Sequence, residues 1–225
     1  MLRIGHRGAC GYAPENTLLG FSTALQLHVD MIELDVHVCR SGEIVVIHDN
    51  KVDRTTDGTG YVTERTLDEL KIMDAGKGEK IPTLQEVLEL VNKKVKVNIE
   101  LKGTGTAKPV FQLLEKYIRG FGWTYDGFLI SSFNQNELQE FRDLGQRFNI
   151  GVLGMGFSTS FAEFAEKINA HYINMYMNSI NRELVDDAQQ RNMKVIVWTV
   201  NEIEDIKRIE SMGVDGIISD YPDRL

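Results

Sequence analysis

The sequence predicts an α/β fold, a distorted (β/α)8 barrel of the TIM type formed by a single domain over residues 1–225. Strand-like and helix-like segments alternate almost to the end of the chain, and eight of the strands are expected to run parallel. The length of 225 residues is what eight such units need. An open, doubly wound sheet fits less well, because Gly5, Gly8 and Gly11 lack the G-x-G-x-x-G spacing of a nucleotide-binding turn.

The first half of the chain carries strand patterns with a period of two, at Leu2–Gly5, Met31–Val38, Glu43–Ile47 and Val95–Leu101. The turn at 40–43 is too short for a crossover connection. Glu43–Ile47 is therefore predicted to be an antiparallel hairpin partner, not a barrel strand. Helical periodicity follows the first strand, and it returns after the capping box formed by Thr83 and Glu86.

Between residues 49 and 82 the periodicity weakens. Asp57-Gly-Thr-Gly60 is a strong turn signal. Thr66 and Glu69 form a capping box that predicts one short helix. We therefore predict a small inserted subdomain at about 49–82, after the second barrel strand.

The second half of the chain repeats one unit, a short apolar strand pattern followed by a helical pattern. The strand patterns are Phe128–Ser131, Ile150–Leu153, Tyr172–Met175, Lys194–Thr199 and Gly216–Ser219. Asn134 and Asn201 are predicted to cap the helices that they precede, and Gly213 to end the last helix. These units complete the count of eight parallel strands.

Composition excludes several classes of partner. The formal net charge of -8 and the pI near 5.2 disfavour nucleic acid or an anionic membrane as the main partner. No apolar run approaches the roughly 18 residues of a membrane span, so we expect no stable membrane association. The first residues already read as a strand, which leaves no room for a signal peptide and predicts a cytoplasmic protein. Cys10 and Cys39 are expected to be reduced thiols, with a single bridge between them as an open alternative.

Two strand patterns carry acids among residues that favour burial. Glu33 and Asp35 share one face of the second strand and are expected near its end, and Glu100 lies near the end of the strand at 95–101. Carboxylates held close together repel one another and are costly to desolvate, so they need a cation. The simplest arrangement is one divalent cation held by all three residues. Ligands that are all oxygen select Mg²⁺ or Ca²⁺ over zinc.

Further polar residues follow strand ends, which form the active-site face of such a barrel. His6 and Arg7 follow the first strand, His48 ends the hairpin strand, and Lys102 follows Glu100. Two histidines allow one general base and one general acid on opposite sides of a phosphorus centre. Arg7 and Lys102 suit a phosphate group. The set predicts cleavage of a phosphoester.

Five other residues have two interpretations each. Asn16 either caps the first helix or belongs to the site, where it contacts the metal itself or the residues behind it. Asp49 either orients the preceding histidine or begins the next loop. Phe133 and Trp198 follow strand ends and are candidates to line the substrate pocket, although aromatic residues there are often core. His37 shares a face with the acids of its strand, and we expect it to be a rim residue and not a ligand.

The chain resembles the bacterial glycerophosphodiester phosphodiesterases, a branch related to phosphatidylinositol-specific phospholipases. The resemblance covers essentially the whole chain, and its specificity comes from the order of many short motifs. These are His6-Arg-Gly8, Pro14-Glu-Asn-Thr17, Glu33-Leu-Asp35, His48-Asp49, Asp53-Arg-Thr-Thr-Asp57-Gly, Ile81-Pro-Thr-Leu84, Glu100-Leu-Lys102, Ser131-Ser-Phe133, Trp198-Thr-Val200 and Gly213-Val-Asp-Gly216.

The resemblance implies an activity and a role for each matching residue. It implies a distorted TIM barrel whose inserted subdomain caps the pocket. His6 and His48 would be the general acid and the general base. The metal ligands would be Glu33, Asp35 and Glu100, and Arg7 and Lys102 would contact phosphate. The implied reaction has the glycerol 2-hydroxyl attack phosphorus and expel an alcohol, after which water opens the cyclic phosphate to give sn-glycerol 3-phosphate.

Three other functions fit the sequence less well than this one. A lysophospholipase D-type activity on a lipid would need an apolar patch or groove at the rim. A barrel that only binds phosphate esters would be expected to have lost a histidine or a carboxylate, and none is missing. A regulatory protein-interaction barrel has no support from any sequence feature. The head group, the choice between Mg²⁺ and Ca²⁺, and a monomeric or homodimeric state all stay open.

Overall fold

A computed structural model describes residues 1–156 and 159–225, with the side chains of residues 159–162 outside that description. Nine strands within these residues join one sheet. In chain order they are β1 (Leu2–Gly5), β2 (Met31–Val38), β3 (Ile44–Val46), β4 (Lys96–Leu101), β5 (Phe128–Ser132), β6 (Asn149–Gly154), β7 (Tyr172–Tyr176), β8 (Lys194–Trp198) and β9 (Gly216–Ser219).

Eight of these strands run parallel and close into a barrel. Their order is β1-β9-β8-β7-β6-β5-β4-β2, and pairing of β1 with β2 closes the ring, with Ile4 opposite Met31. The predicted TIM-type barrel is confirmed. Strand β3 lies outside the ring and pairs antiparallel with the end of β2, placing Val46 opposite Val36. The hairpin predicted from the short turn is therefore also confirmed.

Helices connect the strands and cover the outside of the barrel. They are α1 (Leu18–Gln26), α2 (Leu67–Ile72), α3 (Leu84–Val91), α4 (Ala107–Phe121), α5 (Gln135–Leu144), α6 (Thr159–Lys167), α7 (Arg182–Gln190) and α8 (Ile203–Glu210). Both predicted capping boxes are present, at Thr66 and Thr83. In the described part of the chain, none of the helices has the length and apolar character that crossing a membrane requires.

At two helix starts the expected cap binds elsewhere: the prediction for Asn201 is wrong, and of the two interpretations of Asn16 the helix cap is the one that fails. Helix α1 is capped by Thr17, whose hydroxyl accepts from the backbone N–H of Gly20, so Asn16 is not the cap. Helix α8 begins after Glu202 without a side-chain cap, and the side chain of Asn201 turns toward the loop after β9 instead. In both cases a distant partner competes with the helix for the amide side chain.

Apolar and polar residues alternate along β2, but neither face of the strand is exposed to solvent. Its first seven residues are all buried, because one face packs under the helices and the other points into the barrel. Ile32, Leu34 and Val36 join the main core between sheet and helices. Inside the barrel, six residues from six strands form a second cluster, made of Ile4, Met31, Leu129, Tyr172, Ile196 and Ile218. This apolar cluster fills the lower part of the barrel interior, and the polar residues on the same strand faces lie nearer the C-terminal ends of the strands.

The segment 49–82 packs around apolar residues of its own. It contains a 3-10 turn at Val62–Glu64 and helix α2. Val52, Val62, Leu70 and Ile81 are buried together in a cluster that also takes in residues of the β2–β3 hairpin. The segment is thus anchored on the β2–β3 hairpin, which His48 follows by two residues.

The loop after β1 approaches helix α1 so closely that one position requires glycine. Gly8 has φ +90°, and a Cβ there would lie 2.6 Å from the backbone carbon of Gly20. We expect Gly8→Ala to lower the free energy of unfolding by about 2–4 kcal/mol, the sum of left-handed backbone strain and a backbone clash. Urea unfolding measures it.

Gly42→Ala is the matched control for this prediction. Gly42 has φ +100°, but a Cβ there would meet nothing within 4 Å. This variant therefore carries the strain without the clash and is expected to cost about 1–2 kcal/mol. Equal losses in the two variants would show that the close approach of the loop to α1 has no energetic weight.

Candidate active site

A cavity of about 260 Å³ opens at the C-terminal ends of the barrel strands. One part of its wall is polar and includes residues that the sequence singled out. The other part is apolar. The lining residues are His6, Arg7, Glu33, His48, Asn98, Glu100, Lys102, Ser131, Phe133, Leu153, Met155, Trp198 and Ile218.

Three buried carboxylates meet at the bottom of the site. Glu33, Asp35 and Glu100 each offer an oxygen atom, and these atoms lie within 4.8 Å of one another. The pairing of β2 with β4 sets this spacing, because it places Asp35 opposite Glu100. Glu33 is the third of the eight residues of β2, so it does not lie at the strand end as expected. Strand β2 is longer than the barrel wall because its last residues pair with β3.

The electrostatics of the trio fit a bound divalent cation. Burial, together with the charges of the neighbouring acids, raises the pKa of Glu33 well above its usual range. Burial and the charge of Asp35 raise the pKa of Glu100 to about 7. One carboxylate oxygen of Glu100 lies 2.9 Å from Nζ of Lys102 but makes no well-aligned hydrogen bond. Three oxygen donors that repel one another, one of them unsatisfied, are a suitable ligand set for Mg²⁺ or Ca²⁺.

Arg7 holds this acidic group from the loop after β1. Its backbone N–H donates to Oε2 of Glu33 at 2.9 Å, and its guanidinium lies 3.5 Å from Asp35. Nη1 also donates to Glu15 at 2.8 Å. Burial alone would lower the pKa of Arg7, but the surrounding carboxylates outweigh it and raise the pKa. The guanidinium therefore stays charged beside the cavity.

Asn16 contacts the acidic group from behind. Its Nδ2 donates to Oδ2 of Asp35 at 2.9 Å, and its Oδ1 accepts from the backbone N–H of Asp35. Asn16 adopts φ +56°, a left-handed conformation that asparagine tolerates better than most residues. The amide leaves Oδ1 of Asp35 directed toward Lys102, at 3.8 Å from Nζ.

His6 is backed by a carboxylate from the other end of the chain. Its Nδ1 lies 2.6 Å from Oδ1 of Asp220, which directly follows β9. Burial alone would raise the pKa of Asp220, but hydrogen bonds from His6 and Cys10 outweigh it and lower the pKa below its usual range. Nδ2 of Asn201 donates to Oδ2 of Asp220, and Oδ1 of Asn201 accepts from the backbone N–H of Asp220, so the carboxylate is fixed in place. A carboxylate on Nδ1 leaves Nε2 of the imidazole for the cavity.

His48 has the same kind of arrangement with a neighbour in sequence. Its Nδ1 lies 2.5 Å from Oδ1 of Asp49. Burial outweighs the nearby carboxylates and lowers the pKa of His48, which favours the neutral imidazole. His37, expected at the rim, is 4% exposed and lies under this turn, with Nε2 3.2 Å from the carbonyl oxygen of His48. The imidazole of His37 therefore supports the backbone of the turn.

Arg54 of the inserted segment connects the two sides of the site. Its guanidinium donates to both oxygens of Asp49, at 2.7 and 3.1 Å, and to both oxygens of Glu15, at 2.9 and 2.7 Å. Glu15 in turn accepts from Arg7. An unbroken chain of ion pairs thus runs from Arg7 to His48 through the inserted segment.

The apolar part of the cavity contains the two predicted aromatic residues. Phe133 and Trp198 make an edge-to-face contact with centroids 5.6 Å apart. Phe133 is 43% exposed, so it is not core, and Nζ of Lys102 lies 5.7 Å from the centroid of its ring. Both rings therefore face the space that a substrate would occupy.

Sequence reasoning missed several residues that complete the site. Asp220 and Asn201 hold His6, and Glu15 and Arg54 join the two sides. Asp220 did carry a usable signal, because it is an acid directly after the last strand, at the same rim as the other candidates. Arg54 and Glu15 lie within two of the motifs quoted above, but these motifs do not show that the two residues pair, since they belong to separate loops.

Comparison with known proteins agrees with this geometry. Residues 6–224 match the model of the glycerophosphoryl diester phosphodiesterase family. The chain is 39% identical to the glycerophosphodiester phosphodiesterase of Caldanaerobacter subterraneus, over 100% of this chain and 96% of that protein. It is 35% identical to that of Bacillus altitudinis, over 98% and 95%. A phosphodiesterase of Oleispira antarctica, solved in complex with the product sn-glycerol-3-phosphate, superposes with a TM-score of 0.91 at 30% identity, over 98% and 93%.

Fold and site together define a barrel hydrolase of phosphoric diesters. The resemblance seen in the sequence is confirmed, because a match over nearly the whole chain and a relative at 39% identity establish the relationship. The chain belongs to the glycerophosphoryl diester phosphodiesterase family.

The pairing of Asp49 makes stability depend on pH. Hydrogen bonds from Arg54, and then from His48, hold the pKa of Asp49 well below its usual range. Because the folded pKa is lower than the unfolded value of about 3.9, the resulting stabilisation is complete above that value and is lost as the pH falls below it. We expect Asp49→Asn to lower the free energy of unfolding at pH 7 and to have little effect at the lowest pH at which the protein stays folded.

Urea unfolding of both proteins between pH 3 and 7 measures this difference. Asp126→Asn is the control, since that side chain is 77% exposed and pairs with Lys96 at the surface. A difference between wild type and Asp49→Asn that did not change with pH would contradict the charge-based explanation.

Proposed function

We propose that this protein hydrolyses glycerophosphodiesters to sn-glycerol 3-phosphate and an alcohol, with one divalent cation and with His6 and His48 as the acid–base pair. The observation that carries the proposal is that two histidines, each backed by its own carboxylate, line one cavity beside three convergent carboxylates. The product complex of the Oleispira antarctica phosphodiesterase supports the same product class. The substrate is thus a small molecule with one phosphodiester group.

The cation would be held by Glu33, Asp35 and Glu100. When bound there, it supplies positive charge to a non-bridging phosphoryl oxygen and makes a nearby hydroxyl more acidic. Both Mg²⁺ and Ca²⁺ suit a site made of carboxylate oxygens. Asn16 would fix Asp35 within this ligand set through its two hydrogen bonds.

Arg7 and Lys102 would bind the remaining phosphoryl oxygens. Both cations border the cavity, and both are already held in place by the carboxylates. The guanidinium of Arg7 offers a planar fork and the ammonium of Lys102 a compact charge. Together they would orient the phosphorus centre between the two histidines and stabilise charge that develops on its oxygens.

The two histidines would move the protons. His48, with its neutral form favoured, would take the proton of the glycerol 2-hydroxyl as that oxygen forms a bond to phosphorus. His6, held by Asp220, would give a proton to the alcohol as its bond to phosphorus breaks. Water would then open the cyclic phosphate with the two roles exchanged, which restores both histidines and leaves sn-glycerol 3-phosphate.

The apolar wall would accept the carbon skeleton of the substrate. Phe133 and Trp198 present ring faces and edges to the cavity, and Leu153 and Met155 extend the same wall. Apolar and charged residues line the same cavity, so a diester would place its phosphate against the charged residues and its carbon atoms against the apolar ones.

We further propose that the chain works as one domain, with 49–82 as a small subdomain that supports the site. Arg54, which joins Glu15 to Asp49, is the observation that supports this role. Two free thiols, Cys10 and Cys39, fit a reducing compartment such as the cytoplasm, and no bridge joins them. The formal charge of -8 fits a protein without stable association with anionic membranes.

A phosphorus NMR time course with glycerophosphocholine tests the function. The protein is stripped with a chelator and then given Mg²⁺ or Ca²⁺ in turn. Metal-dependent appearance of glycerol 3-phosphate is expected, and the faster ion identifies the preferred cation. No turnover with either ion, but turnover of a lysophospholipid, would replace the proposed substrate class with a lipid.

The attacking group is tested separately with a diester analogue that lacks the glycerol 2-hydroxyl. This analogue is expected to be inert, because the proposed first bond to phosphorus comes from that oxygen. Turnover at the normal rate would show that water attacks directly and that no cyclic phosphate forms.

A further inference from the structure

Cys10 is a nucleophilic side chain that the proposed reaction does not use. It lies outside the cavity lining, on the Nδ1 edge of His6. Its Sγ donates to Oδ1 of Asp220 at 2.9 Å and lies 3.8 Å from Nδ1 of His6. The three side chains therefore bring one nitrogen, one sulfur and one oxygen donor within 4.8 Å of one another.

We propose that His6, Cys10 and Asp220 form a second metal site, which takes zinc and which, when filled, inhibits the enzyme. The donor set differs in kind from the carboxylate trio. A thiolate with an imidazole selects Zn²⁺ over Mg²⁺ and Ca²⁺, whereas three carboxylates favour the harder ions. The two sites thus separate metals by the chemistry of their ligands.

The distances suit tetrahedral zinc after a small movement of one group. Bond lengths of about 2.0–2.3 Å place neighbouring donors about 3.3–3.6 Å apart. Sγ of Cys10 and Nδ1 of His6, at 3.8 Å, are already close to that spacing. The carboxylate of Asp220 lies about 0.6–0.7 Å too close to both, because hydrogen bonds now join it to them. Zinc replaces those bonds, and water takes the fourth position.

Binding requires the release of a proton. Sγ of Cys10 donates to Asp220, so it is a thiol in the free protein and loses its proton when the sulfur–zinc bond forms. The neutral imidazole of His6 releases no proton: its single hydrogen moves, through solvent, from Nδ1 to Nε2, and this frees the Nδ1 lone pair for zinc. Each zinc ion bound therefore displaces the thiol proton, and the imidazole keeps a hydrogen only on Nε2.

The inhibition, but not the site, rests on the proposed role of His6 as general acid. An imidazole bound to zinc through Nδ1 cannot become the imidazolium that gives a proton to the leaving alcohol. Zinc also takes the carboxylate of Asp220 away from its hydrogen bond with His6. Enzyme loaded with Mg²⁺ or Ca²⁺ at the carboxylates is therefore expected to lose activity in zinc, and a chelator selective for zinc is expected to restore it.

Titration with cobalt detects metal binding at this site independently of catalytic activity. Co²⁺ is added to the full-length protein in excess Mg²⁺, and near-ultraviolet absorption is recorded for a sulfur-to-cobalt charge-transfer band that zinc should then remove. We expect the band in wild type and not in Cys10→Ser. It should persist in Cys39→Ala, because Cys39 is 4% exposed, lies in the apolar cluster of the inserted segment and has its Sγ beside Ser41 and Glu43, away from His6 and Asp220. Absence of the band in wild type, or its survival in Cys10→Ser, would overturn the site.

Zinc inhibition is then measured on the same three proteins. Loss of an outer partner of a zinc ligand already costs about 10–100-fold in affinity, so Cys10→Ser should raise the half-inhibiting zinc concentration by at least about tenfold. Equal inhibition of wild type and Cys10→Ser would mean that zinc competes at the carboxylates, and it would overturn the inhibitory role. A cobalt band in a protein that cleaves no diester would instead uphold the site and reject the proposed function.

Discussion

Replacing His48 with alanine is expected to lower kcat by about 10²–10⁴-fold, the usual contribution of a general base. Asp49 fixes the ring through Nδ1, and burial favours the neutral imidazole that can accept a proton. Substrate binding should change little, because Arg7 and Lys102 stay in place. Steady-state kinetics on a glycerophosphodiester measures the change. His28→Asn is the control, since His28 is exposed and has φ +57°, which asparagine tolerates.

The leaving group separates the roles of the two histidines. A substrate with an acidic leaving alcohol, such as a nitrophenol, needs no proton from a general acid. His6→Ala should therefore lose much less activity on that substrate than on glycerophosphocholine. His48→Ala should lose activity on both, because the attacking hydroxyl is the same. The reverse pattern would exchange the two assignments, and equal losses in all four cases would give both residues structural roles.

The barrel was predictable because the sequence patterns that specify it are local and recur along the chain. Each unit presents a short apolar strand and then a helix with one apolar face, and eight repeats leave few other architectures. The carboxylate trio was predictable for a related reason. Glu33 and Asp35 on one strand and Glu100 on another share faces that point into a closed barrel, so the fold itself brings them together.

The groups that orient the histidines were harder to predict. Asp220 and His6 are separated by 214 positions, and the contact depends on β1 and β9 being neighbours in the closed sheet. Asn201 carries a strong local signal for a helix cap, but in the structure its amide binds Asp220. Of the two interpretations of Asn16, the structure selects the contact with the acidic group, because both ends of its amide bind Asp35. Local patterns give each amide several partners, and only the tertiary structure selects among them.

Removing the divalent cation is expected to abolish turnover, with a loss of at least about 10³-fold, because a bound metal contributes several kcal/mol to the stabilisation of developing charge. Glu100→Gln should cause a similar loss by weakening the ligand set.

In the absence of metal, Glu100→Gln should be more stable than the wild type at neutral pH. The pKa of Glu100 is raised to about 7, so stability falls as the pH rises from the unfolded value of about 4.3 to about 7, and the loss is complete above that. Glutamine avoids that loss.

Thermal unfolding with and without Mg²⁺ or Ca²⁺ separates these effects. Wild type should gain stability with the ion, by about 2.7 kcal/mol at a concentration 100 times Kd. Glu100→Gln should start from a higher Tm without the ion and gain little from it, whereas Glu64→Gln, at an exposed position, should behave as wild type. A less stable Glu100→Gln would mean that the carboxylate is held by Lys102 more strongly than it is repelled by Glu33 and Asp35. If the three acids are held together in order to bind the cation, Glu100→Gln should raise the stability of the metal-free protein and lower its activity.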